Sequence, residues 1–221
     1  MVGCHGLRCC RLDRRMLRQC GKRCGRQALA RSGRPPWLTD QRTFPLPLLV
    51  GAIADTHITD GGWRRLPPEV VEVFARFRVD LVLHAGDVCV PSVLQELSYI
   101  APVIAVTGNN DSVELIESCR TVELIEAGPY RIAMLHGHGG RAARDEARRW
   151  AGTAELVVFG HSHVPTIERV DGTILFNPGS PTDRRWQEHF GLGLIRIGDD
   201  GIAPELVLFQ DPRHLRNVRP R

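Results

Sequence analysis

Five short apolar runs in this chain each end on residues able to bind a cation. "LLVGAIA" (48–54) leads into Asp55 and His57, and "VDLVLHAGD" closes on Asp87. "APVIAVTGNND" reaches Asn109, "YRIAMLHGHG" reaches His136 and His138, and "AELVVFGHSH" ends on His161 and His163. Runs this short and this apolar read as strands buried on both faces. Between the first three lie helical patterns. "PPEVVEVFARF" (67–77) starts on proline with apolar residues at helical spacing, and "PSVLQELSYI" does the same over a shorter span. The alternation predicts an α/β unit with a parallel sheet. In such sheets ligands gather outside the carboxyl ends of the strands, so the five polar ends should meet at one crevice.

The later part of the chain changes character. "VELIEAG" and "PYRIAMLHGHG" read as paired strands and "RAARDEARRWAG" as a helix. Asp-Gly turns in "TIERVDGTILFNPGS" and "GLGLIRIGDDGIAPELVLF" predict two hairpins. The C-terminal half is therefore expected to form a second, mostly antiparallel sheet.

The donors narrow the chemistry. Carboxylate and amide oxygens mixed with imidazoles suit Mn²⁺, Fe or Zn²⁺ better than Ca²⁺ or a thiolate-bound ion. There are enough of them for two cations about 3.5–4 Å apart, the arrangement used in phosphoryl chemistry. Such a pair lowers the pKa of a shared water. The glycines at 86, 108, 137 and 160 let backbone turn sharply close to such a site.

Composition separates the rest of the chain from these runs. Of 221 residues, 43% are hydrophobic and 24% charged, which is ordinary for a globular protein. No apolar run approaches the roughly 20 residues of a membrane span. Residues 1–44 hold 11 of the 29 bases but only Asp13 and Asp40 of the 25 acids, leaving 18 bases and 23 acids beyond them. The net +4 thus belongs to the leader and marks no nucleic-acid face on the rest. Cys4, Cys9, Cys10, Cys20 and Cys24 crowd the same stretch, while only Cys89 and Cys119 follow. Their spacing makes a poor zinc site, and the odd total argues against a disulfide-stapled secreted fold. Residues 1–44 are expected to be an unstructured extension or an upstream start, with a domain over 45–210 and a basic tail over 211–221. A reducing cytoplasm is the expected location.

With those ends and "FNPGSPTDRR" (176–185), the stretch from Leu48 to Leu208 resembles the calcineurin-like metallophosphoesterases, in particular the small YfcE-type phosphodiesterase branch. The resemblance implies a four-layer α/β/β/α sandwich of two mixed sheets, with a dinuclear metal site at the carboxyl ends of the strands. It assigns Asp55, His57 and His163 to one ion, Asp87 to both, and Asn109, His136 and His161 to the other. Mn²⁺ is the first expectation, with Zn²⁺, Fe²⁺, Ni²⁺ or Mg²⁺ as alternatives. The implied reaction is hydrolysis of a small phosphodiester by in-line attack of a metal-bridging hydroxide, with Asp87 and Asn109 as catalytic groups. Many superfamily members carry a proton-donating histidine where this chain has Asn110; Asn110 and Arg184 become substrate-binding candidates, with Arg185 the alternative partner for substrate phosphate, and His138 the candidate donor.

A phosphomonoesterase or nucleotide-pyrophosphate hydrolase is the alternative enzyme. A non-catalytic scaffold on the same fold is a further one, against which all seven ligand positions are filled. No membrane or nucleic-acid polymer is expected as partner, and the oligomeric state stays open, a dimer included. Other residues have blander expectations. His84 should be packed in its strand, Cys89 should be a small buried hydrophobe, and Asn177, Gly179 and Ser180 should shape a loop. His5, His189 and His214 should lie on the surface.

Overall fold

The structure is a computed structural model and describes residues 35–220. Within them, residues 37–220 belong to one compact unit. The cysteine-rich leader and His5 lie outside the described residues.

Strand β1 (Thr43–Phe44) and strand β2 (Leu48–Ile53) come first, followed by helix α1 (Pro68–Phe77) and β3 (Leu81–His84). Then come α2 (Pro91–Ser98), β4 (Val103–Ala105) and α3 (Val113–Ser118). β5 (Val122–Ala127), β6 (Tyr130–Leu135), α4 (Ala143–Arg148) and β7 (Leu156–Phe159) follow. Two hairpins, β8 (Thr166–Val170) with β9 (Thr173–Asn177) and β10 (Phe190–Gly198) with β11 (Gly201–Phe209), precede a 3₁₀ turn over Pro212–Asn217. α1 and α2 begin on proline, whose missing N–H costs nothing at a helix start. α1 stops at Arg78, which turns left-handed so that Val79 N–H reaches Phe74 O.

The strands form two mixed sheets, ordered β11-β10-β2-β3-β4 and β1-β5-β6-β7-β9-β8. β2, β3 and β4 run parallel, as do β6, β7 and β9. A buried cluster drawn from both sheets joins them: Val50, Ala52, Leu81, Leu83 and Ile104 from one, Ile132, Met134, Leu156, Val158 and Phe176 from the other. Alternate residues of β2 and β3, such as Ile53 and Val82, face α1 and α2 through Val70, Phe74 and Leu94. On the other sheet Leu135, Val157 and Leu175 meet Ala143 and Ala147 of α4. Strands buried on both faces explain the unbroken apolar runs.

Three expectations change. The second sheet is not mostly antiparallel, because β1–β5, β6–β7 and β7–β9 pair in parallel. Nor does the final hairpin join it: β10 pairs antiparallel with β2 and so widens the first sheet. Turn chemistry fixed each hairpin but not the sheet it would enter. At Asp171-Gly172 both φ values are positive, as a two-residue hairpin turn needs; the second turn is Asp199-Asp200 instead, and Gly201 opens β11.

The third change concerns boundaries. Trp37 and Leu38 are buried in the core, Thr39 N–H bonds Val103 O, and β1 extends the second sheet. Arg42 makes two 2.7 Å hydrogen bonds to the buried carboxylate of Glu123. The packed domain therefore starts near Trp37 rather than residue 45, hidden within a leader whose charge dominated its reading. At the other end Leu215 is buried, Arg76 binds the carbonyls of Leu215 and Val218, and Arg216 meets Glu69 at 2.8 Å. The basic tail is packed on α1. A chain begun at Thr43 is expected to be at least about 3 kcal/mol less stable in urea unfolding than one begun at Pro35, since it loses a buried Trp and a paired Arg. Equal midpoints would show that Trp37 and Arg42 contribute nothing.

Candidate metal centre

The carboxyl ends of six strands in the two sheets meet at one place. After β2, Asp55 N–H bonds Gly86 O and His57 N–H bonds Asp87 O, which ties the ends of β2 and β3 together. Gly160 N–H bonds His136 O and does the same for β6 and β7. Two further bonds cross between sheets: His136 Nδ1 to Ala85 O at 2.8 Å, and His161 N–H to Asp55 Oδ1 at 3.0 Å. The side chains are thus positioned by backbone that is itself tied by hydrogen bonds.

That backbone is strained where the chemistry lies. Asp55, His57, Asp87, Cys89, His161 and His163 all have φ between 47° and 71°. Such conformations are uncommon for residues other than glycine and cluster at functional sites. Two glycines make the approach possible. A Cβ at Gly108 would lie 2.3 Å from Asp87 N and 2.1 Å from its Oδ1, and one at Gly86 would lie 2.6 Å from His136 Nδ1.

Two groups of donors result. Asp55, His57 and His163 form one, and Asp87, His136 and His161 the other, with one ligand atom from each residue inside 4.8 Å. Asp87 Oδ2 lies 3.4 Å from His57 Nε2 and 3.4 Å from His136 Nε2, between the two groups. Asn109 Oδ1 is 3.3 Å from His136 Nε2. All seven sequence-predicted ligands are therefore brought together. His138 is near but outside both groups, its ring 5.2 Å from that of His136 and 6.4 Å from that of His161.

The proton count favours cations. His136 Nδ1 and His163 Nδ1 donate to the carbonyls of Ala85 and Asp183, so the Nε2 of each ring is the atom that faces inward. His163 Nε2 is 3.1 Å from His57 Nε2 and 3.6 Å from Asp55 Oδ1. At most one proton fits between the two imidazole nitrogens. Asp55 Oδ2 is buried with no hydrogen-bond partner, a costly state for a carboxylate oxygen unless a cation satisfies it. Oxygen and nitrogen donors with unshared pairs aimed at common points fit two divalent ions.

Without cations the groups compensate by holding or refusing protons. Burial pushes Asp55 up to about 7. Burial holds His163 down to about 4 and also lowers His57 and His161. For Asp87 burial works upward, but hydrogen bonds from His136 and Asn110 outweigh it and keep the carboxyl below the ordinary range. His136 gains the reciprocal effect: burial lowers it, and contact with Asp87 and Asp55 more than restores it.

Asn110 belongs to this scaffold. Its backbone N–H and its Nδ2 each donate to Asp87 at 2.8 Å, one to each carboxylate oxygen. Arg184 is engaged in its own turn, donating to Gln187 O with its guanidinium over the Phe190 ring. His84 is buried and bonds Thr56 Oγ1 at 3.2 Å, and burial lowers it to about 3. Burial raises the Cys89 thiol to about 12, and Cys89 belongs to neither group of donors.

Supporting residues were less visible in the sequence. Asp111 accepts from Cys89 N–H and Gly108 N–H, each at 2.7 Å, and so joins the loops after β3 and β4. Asn177 binds Gly160 O and Ser162 Oγ, and accepts from Gly179 N–H. Ser180 Oγ bonds Asp55 O at 2.7 Å and Thr182 Oγ1 bonds Thr56 O at 2.6 Å. Asp183 receives His163 through its carbonyl and Arg64 through its carboxylate. "FNPGSPTDRR" predicts only a loop near the site; its bonds to the DTH turn have no sequence period to reveal them.

Residues 48–200 match the calcineurin-like phosphoesterase superfamily domain. A probable metallophosphoesterase of Methanothermobacter thermautotrophicus is 34% identical over 163 residues, 72% of this chain and 92% of that protein. A phosphodiesterase of Methanocaldococcus jannaschii is 27% identical over 146 residues, 59% of this chain and 82% of that one. Among solved structures, an archaeal phosphodiesterase superposes with a TM-score of 0.59 at 24% identity, covering 73% of this chain and all of that one. Vps29 of Entamoeba histolytica gives 0.57 at 23% identity over 73% and 99%. These last two likenesses are of fold alone; the family match and the archaeal relative carry the assignment. The chain belongs to the calcineurin-like phosphoesterase superfamily.

Proposed function

We propose that this chain is a metal-dependent phosphodiesterase, with two divalent ions, Mn²⁺ foremost, between the sheets of an α/β/β/α sandwich. The observation that carries the reading is Asp87, held between two converging groups of unshared electron pairs. Two cations held there would neutralise phosphoryl charge and acidify a water near neutral pH. The chain's own part is positional. Asp55, His57 and His163 would hold one ion and His136, His161 and Asn109 the other, with Asp87 lying between the two groups. Asn110 fixes both Asp87 oxygens, so the carboxylate does not swing away when substrate charge arrives. Rigid placement of this kind converts encounter into an effectively unimolecular step.

Asn110 also bears on which diesters react. An amide cannot serve as a general acid, and proton donation is worth about 10²–10⁴-fold. The reaction is then fast when the departing oxygen leaves as a stable anion and slow when it needs a proton. His138, whose ring lies beside those of His136 and His161, is the candidate donor within the site.

Three outcomes test the reading. Asp87→Asn is expected to lower metal content, read by elemental mass spectrometry, and to cut kcat by at least about a hundredfold, the scale for losing one electrostatic stabiliser; full metal and full rate would sink it. Metal affinity should depend on pH because Asp55, raised to about 7, and His136 must release protons on binding. A raised pKa means the proton is held below it, so affinity should fall by at least about tenfold per unit below pH 7, where Asp55 holds its proton, and less steeply above. Calorimetric titrations in buffers of different ionisation heat read the released protons directly, and a flat profile from pH 6 to 8 would remove Asp55 from the ligands. Finally, rates on aryl diesters should exceed those on alkyl diesters steeply, with Asn110→His narrowing the gap. A shallow leaving-group dependence with no gain from that variant would show that His138 or another group already supplies the proton.

A further inference from the structure

Two tryptophan rings stand in water on loops that border the metal centre. Trp63 is 86% exposed and Trp186 96% exposed, in a chain that buries most of its large apolar side chains. Trp63 is not loose. The Arg64 guanidinium lies 5.4 Å from its ring centroid, and Arg64 Nη2 is 3.1 Å from Asp183 Oδ2. The carbonyl of Asp183 accepts from His163 Nδ1, and the neighbouring Thr182 binds Thr56 O. A continuous series of contacts thus joins an exposed aromatic face to a ligand histidine. No ring contact of this kind holds Trp186 among the described residues.

Three arginines are near, and two are occupied. Arg64 pairs with Asp183 and backs Trp63, while Arg184 is bound to Gln187 O over Phe190. Arg185 is left. Its backbone turns left-handed at φ 49°, its N–H bonds Asp183 Oδ1, and its exposed guanidinium enters no ion pair among the described residues. Asp183, which accepts from the Arg185 N–H, also accepts from His163 Nδ1 through its carbonyl, so the Arg185 turn adjoins a ligand histidine. A guanidinium without a carboxylate beside a cation centre favours a phosphoryl oxygen. An exposed, cation-backed indole favours a planar ring.

We infer that the loops around Trp63 and Arg185 form the substrate-binding wall of the centre, with Arg185 taking a free phosphoryl oxygen and Trp63 stacking on an aromatic group of the ester. The shared chemistry is a phosphodiester bearing a planar ring, either a nucleobase on the retained side or an aryl leaving group. The inference rests on the phosphodiesterase reading, and it deepens that reading by assigning residues to substrate choice.

Binding and turnover test it separately. In calorimetric titrations, the metal-loaded full chain should bind adenosine 5′-monophosphate about 5- to 100-fold more tightly than ribose 5-phosphate, the span expected of one stacked base. Trp63→Ala should abolish that difference and leave ribose 5-phosphate unchanged. Arg185→Ala should weaken both probes alike, with Arg185→Lys recovering part of the loss. In turnover, Trp63→Ala should raise KM for the p-nitrophenyl ester of thymidine 5′-monophosphate. An unchanged KM for methyl p-nitrophenyl phosphate places the ring on the retained nucleoside, and an equal rise places it on the leaving aryl group. Unaltered binding of all probes in both variants, with unchanged melting temperature, would overturn the inference. No turnover of any diester by the wild type would instead defeat the phosphodiesterase reading, while the calorimetric titrations would still decide the wall.

Discussion

The Asp87 carboxylate is the constraint around which the rest of the site is arranged. It is buried, it lies 3.4 Å from imidazole nitrogens of two different groups, and Asn110 grips both its oxygens. A charge so placed must be matched at close range, or its desolvation is a direct loss. The surrounding backbone shows what matching requires. Gly108 has no Cβ where one would strike Asp87, Asp111 ties the flanking loops, and Asp87 itself adopts positive φ. Strain of about 1–3 kcal/mol per such residue persists only where neighbouring structure over-determines it.

Over-determination comes from the two sheets. Each supplies parallel strands whose carboxyl ends point to one place, and the apolar cluster between them fixes their separation. Bonds from His136 to Ala85 and from His161 to Asp55 then lock the ends together. The loop after β9 adds a third wall by binding Asp55 O and Thr56 O directly. Core packing and site geometry are therefore one arrangement: a shift of the sheets would displace donors contributed by both.

Much of this was legible because the residues carrying it obey simple rules. Buried strands announce themselves as apolar runs, and polar residues at their carboxyl ends stand out against them; that pattern offered eight candidates, and the seven that the resemblance singles out lie together in the structure. What stayed hidden has no such period. Trp37 and Arg42 fasten the domain's start, but they follow a leader whose basic composition masks them. The final hairpin was visible, yet its pairing with β2 is a long-range choice that local turn chemistry does not encode. Arg184 and Arg185 are adjacent in sequence and differ only in the direction their backbone gives them. Asn110 was expected at the substrate and is found holding Asp87, a role that only spatial neighbours reveal.

The return of β10 to β2 has a consequence for how the protein is made. β2 carries the Asp55–His57 turn, yet its second neighbour is residues 190–198, made long after it. Until those residues leave the ribosome, β2 is an open edge able to pair wrongly. The first donors to be synthesised are thus among the last to gain a complete setting. Closing so long a loop is slow, and it postpones the finished setting of the DTH turn until β10 has been made. A chain cut short before β10 would carry the DTH turn but lack the strand that pairs beside it.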